Sequence, residues 1–186
     1  MQVGLILAAG SGSRMGRPKA TLEINGERLV DRAVTIFHEA GIKNVYVVLG
    51  AWQGYVPGAH VLINHDWESG MGSSLVTGLK SISENPENTD VVISLVDLPG
   101  MTAAAIRKIS EASQEIAVGQ FGGKSGHPVK FARKHWQPII DSAGGDVGAR
   151  PYLKGRDDVI FIELGDLAVG TDIDTQADLD SFGGQK

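Results

Sequence analysis

The feature that leaves this chain least freedom is its beginning, where Val3-Gly4-Leu5-Ile6-Leu7-Ala8 runs straight into a loop carrying Gly10, Gly12 and Gly16. An apolar run with no alternation is buried on both faces, and a strand achieves that inside a parallel sheet covered by helices on both sides. The rest of the first hundred residues follows that logic. A helix is expected from Arg28 to Ala40, with Leu29, Val30, Ala33, Val34 and Phe37 on one stripe and Gly41 ending it. Val45 to Leu49 then reads as a second buried strand, completing a right-handed parallel crossover. Val61 to Ile63 and Val91 to Val96 read as further strands. Between them, Leu75, Val76, Leu79 and Ile82 mark a helix after the Gly70-Met71-Gly72-Ser73-Ser74 turn, and Thr102 can cap a helix facing inward through Ile106 and Ile109.

The second half is less regular. Strands are expected at Ile116 to Phe121, Pro128 to Phe131, Val159 to Leu164 and Val169 to Ile173, and helices at Ala132 to Asp141, after Asp146, and from Thr175 to Phe182. The expectation is a three-layer α/β fold with a mostly parallel, mixed sheet. No internal repeat or low-complexity linker divides residues 1–186, which read as one domain.

Composition narrows the partners. Lys plus Arg number 17 against 22 Asp plus Glu, a formal charge of −5, so no basic surplus points to nucleic acid or an anionic membrane. Cysteine is absent, which removes disulfides, thiolate metal sites and cysteine nucleophiles. The first apolar run is too short and too uncharged at its start for a signal peptide, and none approaches the ~20 residues that span a bilayer. A cytoplasmic protein is expected. The histidines lack metal-ligand spacing; His38, His60 and His135 read as surface residues. Trp52, Trp67 and Trp136 are too scattered to form a stacking platform.

The loop after the first strand carries the functional signal. Ligands of open α/β sheets gather at the carboxyl ends of strands. There, glycines let successive backbone N–H groups approach phosphate oxygens, and Arg14, Arg17 and Lys19 would neutralise a polyphosphate. A P-loop is excluded, because Gly16 is followed by Arg17 and Pro18 rather than by Lys and a hydroxyl residue. The Gly10, Gly12, Gly16 spacing is nearer to a dinucleotide-binding turn. Pro18 interrupts the helix such a turn should open, however, and the second strand ends in Leu49-Gly50-Ala51 without an acidic residue.

Leu-Ala-Ala-Gly-x-Gly-x-Arg-Met-Gly followed by Pro-Lys resembles the signature of the nucleotidyltransferases that activate sugars and cofactors. Later segments resemble the molybdenum cofactor cytidylyltransferase and guanylyltransferase-like branch. They are Gly70-Met71-Gly72-Ser73-Ser74-Leu75, Asp97-Leu98-Pro99, Gly126-His127-Pro128-Val129, Gly145-Asp146-Val147-Gly148-Ala149-Arg150 and Asp172-Ile173-Asp174-Thr175. Pro18-Lys19 stands where cofactor-forming members carry Asp-Lys. The resemblance implies a Rossmann-like nucleotidyltransferase fold and transfer of CMP or GMP from a nucleoside triphosphate to a phosphorylated acceptor such as molybdopterin. It also implies a molybdoenzyme or accessory protein as candidate partner for the product.

Asp97 follows Val91 to Val96, a run apolar but for Ser94, and should emerge at the crevice that holds the first loop, a suitable place for Mg2+, which takes one or two carboxylates plus phosphate and water. The second carboxylate is Asp172 or Asp174; the resemblance favours Asp174. Lys19, Arg14 and Asp97 are the catalytic candidates, the cations stabilising charge on the triphosphate. The resemblance places the nucleotide against Leu7, Ala8, Ala9, Gly10, Ser11, Gly12, Gly72, Ser73 and Ser74, and the acceptor near Pro99, His127, Asp146 and Arg150. Capping alone would also account for Ser73 and Ser74, and an ion pair for Asp146 and Arg150. Two rival functions stay open: an NAD(P)-dependent oxidoreductase, and a nucleotide-binding accessory protein without turnover.

Overall fold

The structure is a computed structural model and describes residues 1–183. Its frame is a seven-stranded sheet of order β5-β4-β1-β6-β8-β7-β9. The strands are β1 (Gln2–Leu7), β4 (Val45–Leu49), β5 (His60–Ile63), β6 (Asp90–Leu95), β7 (Ile116–Phe121), β8 (Lys124–Ala132) and β9 (Val159–Glu163). β1, β4, β5 and β6 are parallel neighbours, β8 alone runs antiparallel between β6 and β7, and β9 is parallel to β7. The expected α/β class with a mostly parallel, mixed sheet is the observed one.

The helices divide the core into two layers. Alternate residues of β1 serve each: Ile6 packs with Leu29, Val34 and Phe37 of α1 (Leu29–Glu39) and Ile106 and Ile109 of α3 (Ala103–Ser110). Val3, Leu5 and Leu7 pack with Leu75, Leu79 and Ile82 of α2 (Met71–Ser83) and with Trp136 and Ile139 of α4 (Trp136–Ser142). The double-sided burial of β1 is why its sequence shows no alternation. Thr102 caps α3 as expected, its hydroxyl accepting from Ala105 N at 3.2 Å.

Several expectations need correction. Residues 169–173 form no strand; the segment is tied to the Asp97–Gly100 loop by two isolated backbone bonds, Val169 N to Gly100 O at 3.0 Å and Ile173 N to Asp97 O at 2.9 Å. Arg28 closes a short hairpin, β2 (Glu23–Ile24) with β3 (Glu27–Arg28), turned at Asn25-Gly26, where Asn25 takes φ 55°. β8 starts four residues before Pro128, because the Gly122-Gly123 turn pairs it with β7 from Lys124 onward. The helix after Asp146 is the short α5 (Arg150–Leu153), and the last, α6, spans Gln176–Gly183. His135 is buried, its Nδ1 bonded to the Tyr152 hydroxyl at 2.7 Å, so it is no surface histidine. No helix among the described residues is long and apolar enough to cross a membrane.

Leu79 is fully buried between α2 and the sheet. Replacing it with Ala should lower unfolding free energy by about 2–5 kcal/mol, read from urea denaturation; a loss under about 1 kcal/mol would contradict its place in the core.

Candidate active site

β1 and β6 lie side by side, Leu7 opposite Leu95, and Val96 N donates to Leu7 O at 3.2 Å. The glycine loop and Asp97 therefore leave the sheet together, at the carboxyl edge where the crevice was expected. Among the described residues the amides of Gly10, Ser11 and Gly12 have no protein acceptor. They line one wall of a cleft of about 330 Å³. The loop doubles back tightly: Gly12 has φ +60°, and a Cβ there would collide with the Arg17 carbonyl. Buried Ala20 and Leu22 anchor the returning chain, which holds Lys19 against the cleft.

The Lys19 ammonium donates to Asp97 Oδ2 at 2.7 Å and to Asp174 Oδ1 at 2.8 Å, and Arg14 donates to Asp174 Oδ2 at 3.1 Å. Burial alone would depress the Lys19 amine, but the hydrogen bonds it donates to Asp174 and Asp97 outweigh it and the pKa is raised. The hydrogen bond from Lys19 holds the Asp174 carboxyl below its ordinary value. The signs bracket neutrality. The Asp174 contribution to stability is present above the ordinary carboxylate range and lost as pH falls through its lowered value. The Lys19 contribution is present below the ordinary lysine value and lost as pH rises through its raised one.

Asp97 Oδ1 is buried, without a hydrogen-bond partner among the described residues. An orphaned carboxylate oxygen beside a second carboxylate suits a hard divalent cation, which needs oxygen donors and completes its shell with water and phosphate. Among the described residues no group of three or more His, Asp or Glu side chains offers a self-sufficient protein cage. Asp174 is the carboxylate at the site; Asp172 is exposed and makes no bond to Lys19, because buried Ile173 between them is held by the Asp97 carbonyl.

The cleft is also lined by Trp67, Glu68, Gly70, Met71 and Ser74 and by Leu7, Ala8 and Ala9. Gly72 and Ser73 do not line it. Gly72 N donates to Gly145 O at 2.7 Å, and a Cβ on Gly72 would come within 2.7 Å of Gly144 N, so the first motif packs its backbone directly on the second. Ser73 and Ser74 are both held by Asn64 Nδ2, at 2.8 and 3.0 Å. Asn64 is buried at 3% exposure and escaped sequence reasoning, as did Glu68, since single residues after a strand carry no motif.

The acceptor candidates separate. His127 and Arg150 share a second cavity of about 180 Å³, which has Leu7, Met71 and Leu95 in common with the cleft. Asp146 lines the cleft instead, beside Gly70, and forms no ion pair with Arg150 among the described residues. Pro99 belongs to neither: it borders a narrow cavity under α1, its carbonyl accepting from Arg32 Nε at 3.2 Å. Desolvation, then the nearby Arg150 cation, pushes His127 down to about 4, so its imidazole is neutral at physiological pH.

Comparison with known proteins gives matching findings. The family described as MobA-like NTP transferase domain matches residues 4–159. Nicotine blue oxidoreductase of Paenarthrobacter nicotinovorans is 30% identical over 92% of this chain and 91% of its own. Molybdenum cofactor guanylyltransferase of Xanthomonas euvesicatoria pv. vesicatoria is 34% identical over 62% of this chain and 57% of its own. Rv0371c of Mycobacterium tuberculosis H37Rv superposes with a TM-score of 0.83 at 24% identity over 98% of this chain and 97% of that one. A structure of the same mycobacterial protein in complex with manganese scores 0.80 at 23% identity over 100% and 99%.

Two outcomes are expected from this geometry. The His127 ring should titrate by NMR near 4 and move upward in Arg150→Ala, since a cation is removed; a wild-type value near 6.5 would contradict its desolvation. Gly72→Ala should cost about 1–3 kcal/mol in urea denaturation through overpacking against Gly144.

Proposed function

The chain belongs to the MobA-like NTP transferase family, and from that premise we propose that it transfers a nucleoside monophosphate, CMP or GMP, from its triphosphate to a phosphorylated acceptor and releases pyrophosphate. Molybdopterin is the acceptor that the sequence resemblance favours. Residues 1–186 would act as one cytoplasmic domain, handing the product to a molybdoenzyme or accessory protein. The observation that carries the reading is Lys19 facing both Asp97 and Asp174 beside three amides that lack acceptors.

The chemistry is in-line attack by an acceptor phosphate oxygen on the α-phosphorus, forming a new phosphoanhydride as the bond to pyrophosphate breaks. The acceptor phosphate is already ionised at neutral pH, so the residues position and neutralise rather than abstract a proton. The Gly10, Ser11 and Gly12 amides would hold triphosphate oxygens, and Lys19, aided by Arg14, would stabilise charge as the α-phosphorus becomes five-coordinate. Asp97 and Asp174 would hold a divalent cation, proposed as Mg2+, which supplies further neutralisation of the α-phosphate and leaving group. The manganese complex of the mycobacterial neighbour supports a divalent ion of this size. Arg150 and the neutral His127, in the adjoining cavity, would orient the acceptor.

One observation favours a second reading. A relative alignable over 92% of this chain is named an oxidoreductase, and the Gly10, Gly12, Gly16 spacing approaches a dinucleotide turn. Thermal shift with CTP, GTP and NADPH, with and without Mg2+, followed by pyrophosphate assay, separates the two. A ligand at ~100 times its dissociation constant adds about 2.7 kcal/mol of stability, which such a scan resolves. Metal-dependent stabilisation by CTP or GTP is expected; stabilisation by NADPH alone would overturn the transferase. In the same assay Lys19→Ala should reduce pyrophosphate release by about 10²–10³-fold while the protein remains folded, and unchanged turnover would refute the role given to this lysine.

A further inference from the structure

The sheet comes apart beside the cleft. β8 pairs with β6 only over Val129 to Ala132, and its ladder with β7 passes from Val129 to Gly126 across a bulge that leaves His127 and Pro128 unpaired. β6 runs on through Ser94 and Leu95 with β1 as its neighbour. The second cavity, of about 180 Å³, opens where the two strands part, and Ile93, Leu95, His127 and Val129 are in its lining.

This cavity is a hollow in the apolar layer. Leu75, Ile93, Val118, Val129 and Phe131 line it, all buried and all members of the core packed against α2. Left empty, such a hollow costs stability in proportion to its volume. An apolar cavity of about 150 Å³ is enough to take up benzene. The size falls below the ~300–1,000 Å³ of sites for drug-sized ligands, so one or two fused rings fit and a larger body does not.

Its polar side chains come from Ser125, His127 and Arg150 alone, and Ser125, Val147 and Arg150 are exposed, which puts the mouth on their side. With the His127 ring neutral, the Arg150 guanidinium is the single charge there, and it favours an anion at the mouth. No carboxylate or side-chain amide lines the cavity among the described residues. A pterin or a sugar buried here would leave its ring-edge donors without such acceptors, and a polar group removed from water unpaired is penalised.

We propose that the second cavity takes a compact, largely hydrocarbon body of one or two fused rings, with a single anionic group held at the mouth by Arg150, Ser125 and His127. Calling that ligand the phosphorylated acceptor rests on the transferase reading. The ligand class follows from the lining alone, and it points away from the pterin that the sequence resemblance favours.

The test is calorimetric binding of two matched pairs of ligands, with the His127 ring followed by NMR to locate them. 2-Naphthoate and 6-carboxypterin share a bicyclic frame and one carboxylate; 1-naphthyl phosphate and ribose 5-phosphate share a phosphate. Each naphthyl ligand should bind at least about tenfold tighter than its polar partner and shift the His127 resonances. Arg150→Met should weaken 2-naphthoate by about tenfold, and Val129→Phe, which fills the hollow from inside, should abolish its binding. Should Val129→Phe fail to fold, Val147→Trp at the exposed mouth carries the same comparison. Equal or tighter binding of 6-carboxypterin or ribose 5-phosphate, no binding of the naphthyl ligands, or binding that leaves His127 unshifted overturns the inference, as does 2-naphthoate affinity unchanged in the filling variant. Pyrophosphate release from CTP or GTP with 1-naphthyl phosphate then tests the acceptor role; its absence would remove that role, while the binding data still decide the ligand class.

Discussion

The structure turns on one ammonium group held between two carboxylates. Lys19 joins Asp97, 78 positions along the chain, to Asp174, 155 positions along, and so draws the first loop, the end of the central strand and the C-terminal segment to one point. The sheet makes this cheap in conformational terms. β1 and β6 are hydrogen-bonded neighbours of the same direction, so their carboxyl ends deliver the glycine loop and Asp97 to adjacent positions before any side chain is placed. The C-terminal segment needs a separate tether, and the Ile173 N–H to the Asp97 carbonyl supplies it, with the buried Ile173 side chain locking the register.

Around that point the polar and apolar tasks are divided. The cleft is lined on the loop side by the Gly10–Gly12 backbone and Lys19, while Gly70 and Met71 on its other side depend on close backbone contact between Gly70–Gly72 and Gly144–Gly145. Buried Asn64 fixes the first turn of α2 by binding Ser73 and Ser74 together. Motif residues that look like ligand contacts thus include several whose evident work is to bring two loops within van der Waals distance. The cleft and the His127–Arg150 cavity meet at Leu7, Met71 and Leu95, which makes them separate chambers with a shared boundary.

The electrostatics of the two chambers differ in kind. In the cleft, opposite charges are close enough that lysine stays protonated and Asp174 ionised across neutral pH, despite partial burial. In the second cavity a histidine lies near an arginine, no carboxylate lines it among the described residues, and desolvation keeps the ring neutral. A neutral imidazole next to Arg150 can orient an anionic ligand by hydrogen bonding, leaving the guanidinium as that pair's charge.

The alternation of apolar runs and helical stripes determined the layers, the parallel half of the sheet and the crevice at the end of β1, because burial on both faces leaves its mark on every residue of a strand. Glycine spacing likewise marked the tight loop after β1, since the Gly12 turn tolerates no Cβ. Which aspartate joins Asp97 was not in the sequence: Asp172 and Asp174 are chemically alike, and only the irregular path of residues 169–173, set by the Ile173 tether, turns Asp174 to Lys19 and leaves Asp172 in solvent. The same holds for Asn64, for Pro99 under α1 and for the parting of Asp146 from Arg150. Each is decided by contacts between segments far apart in the chain, and local pattern carries no record of such contacts.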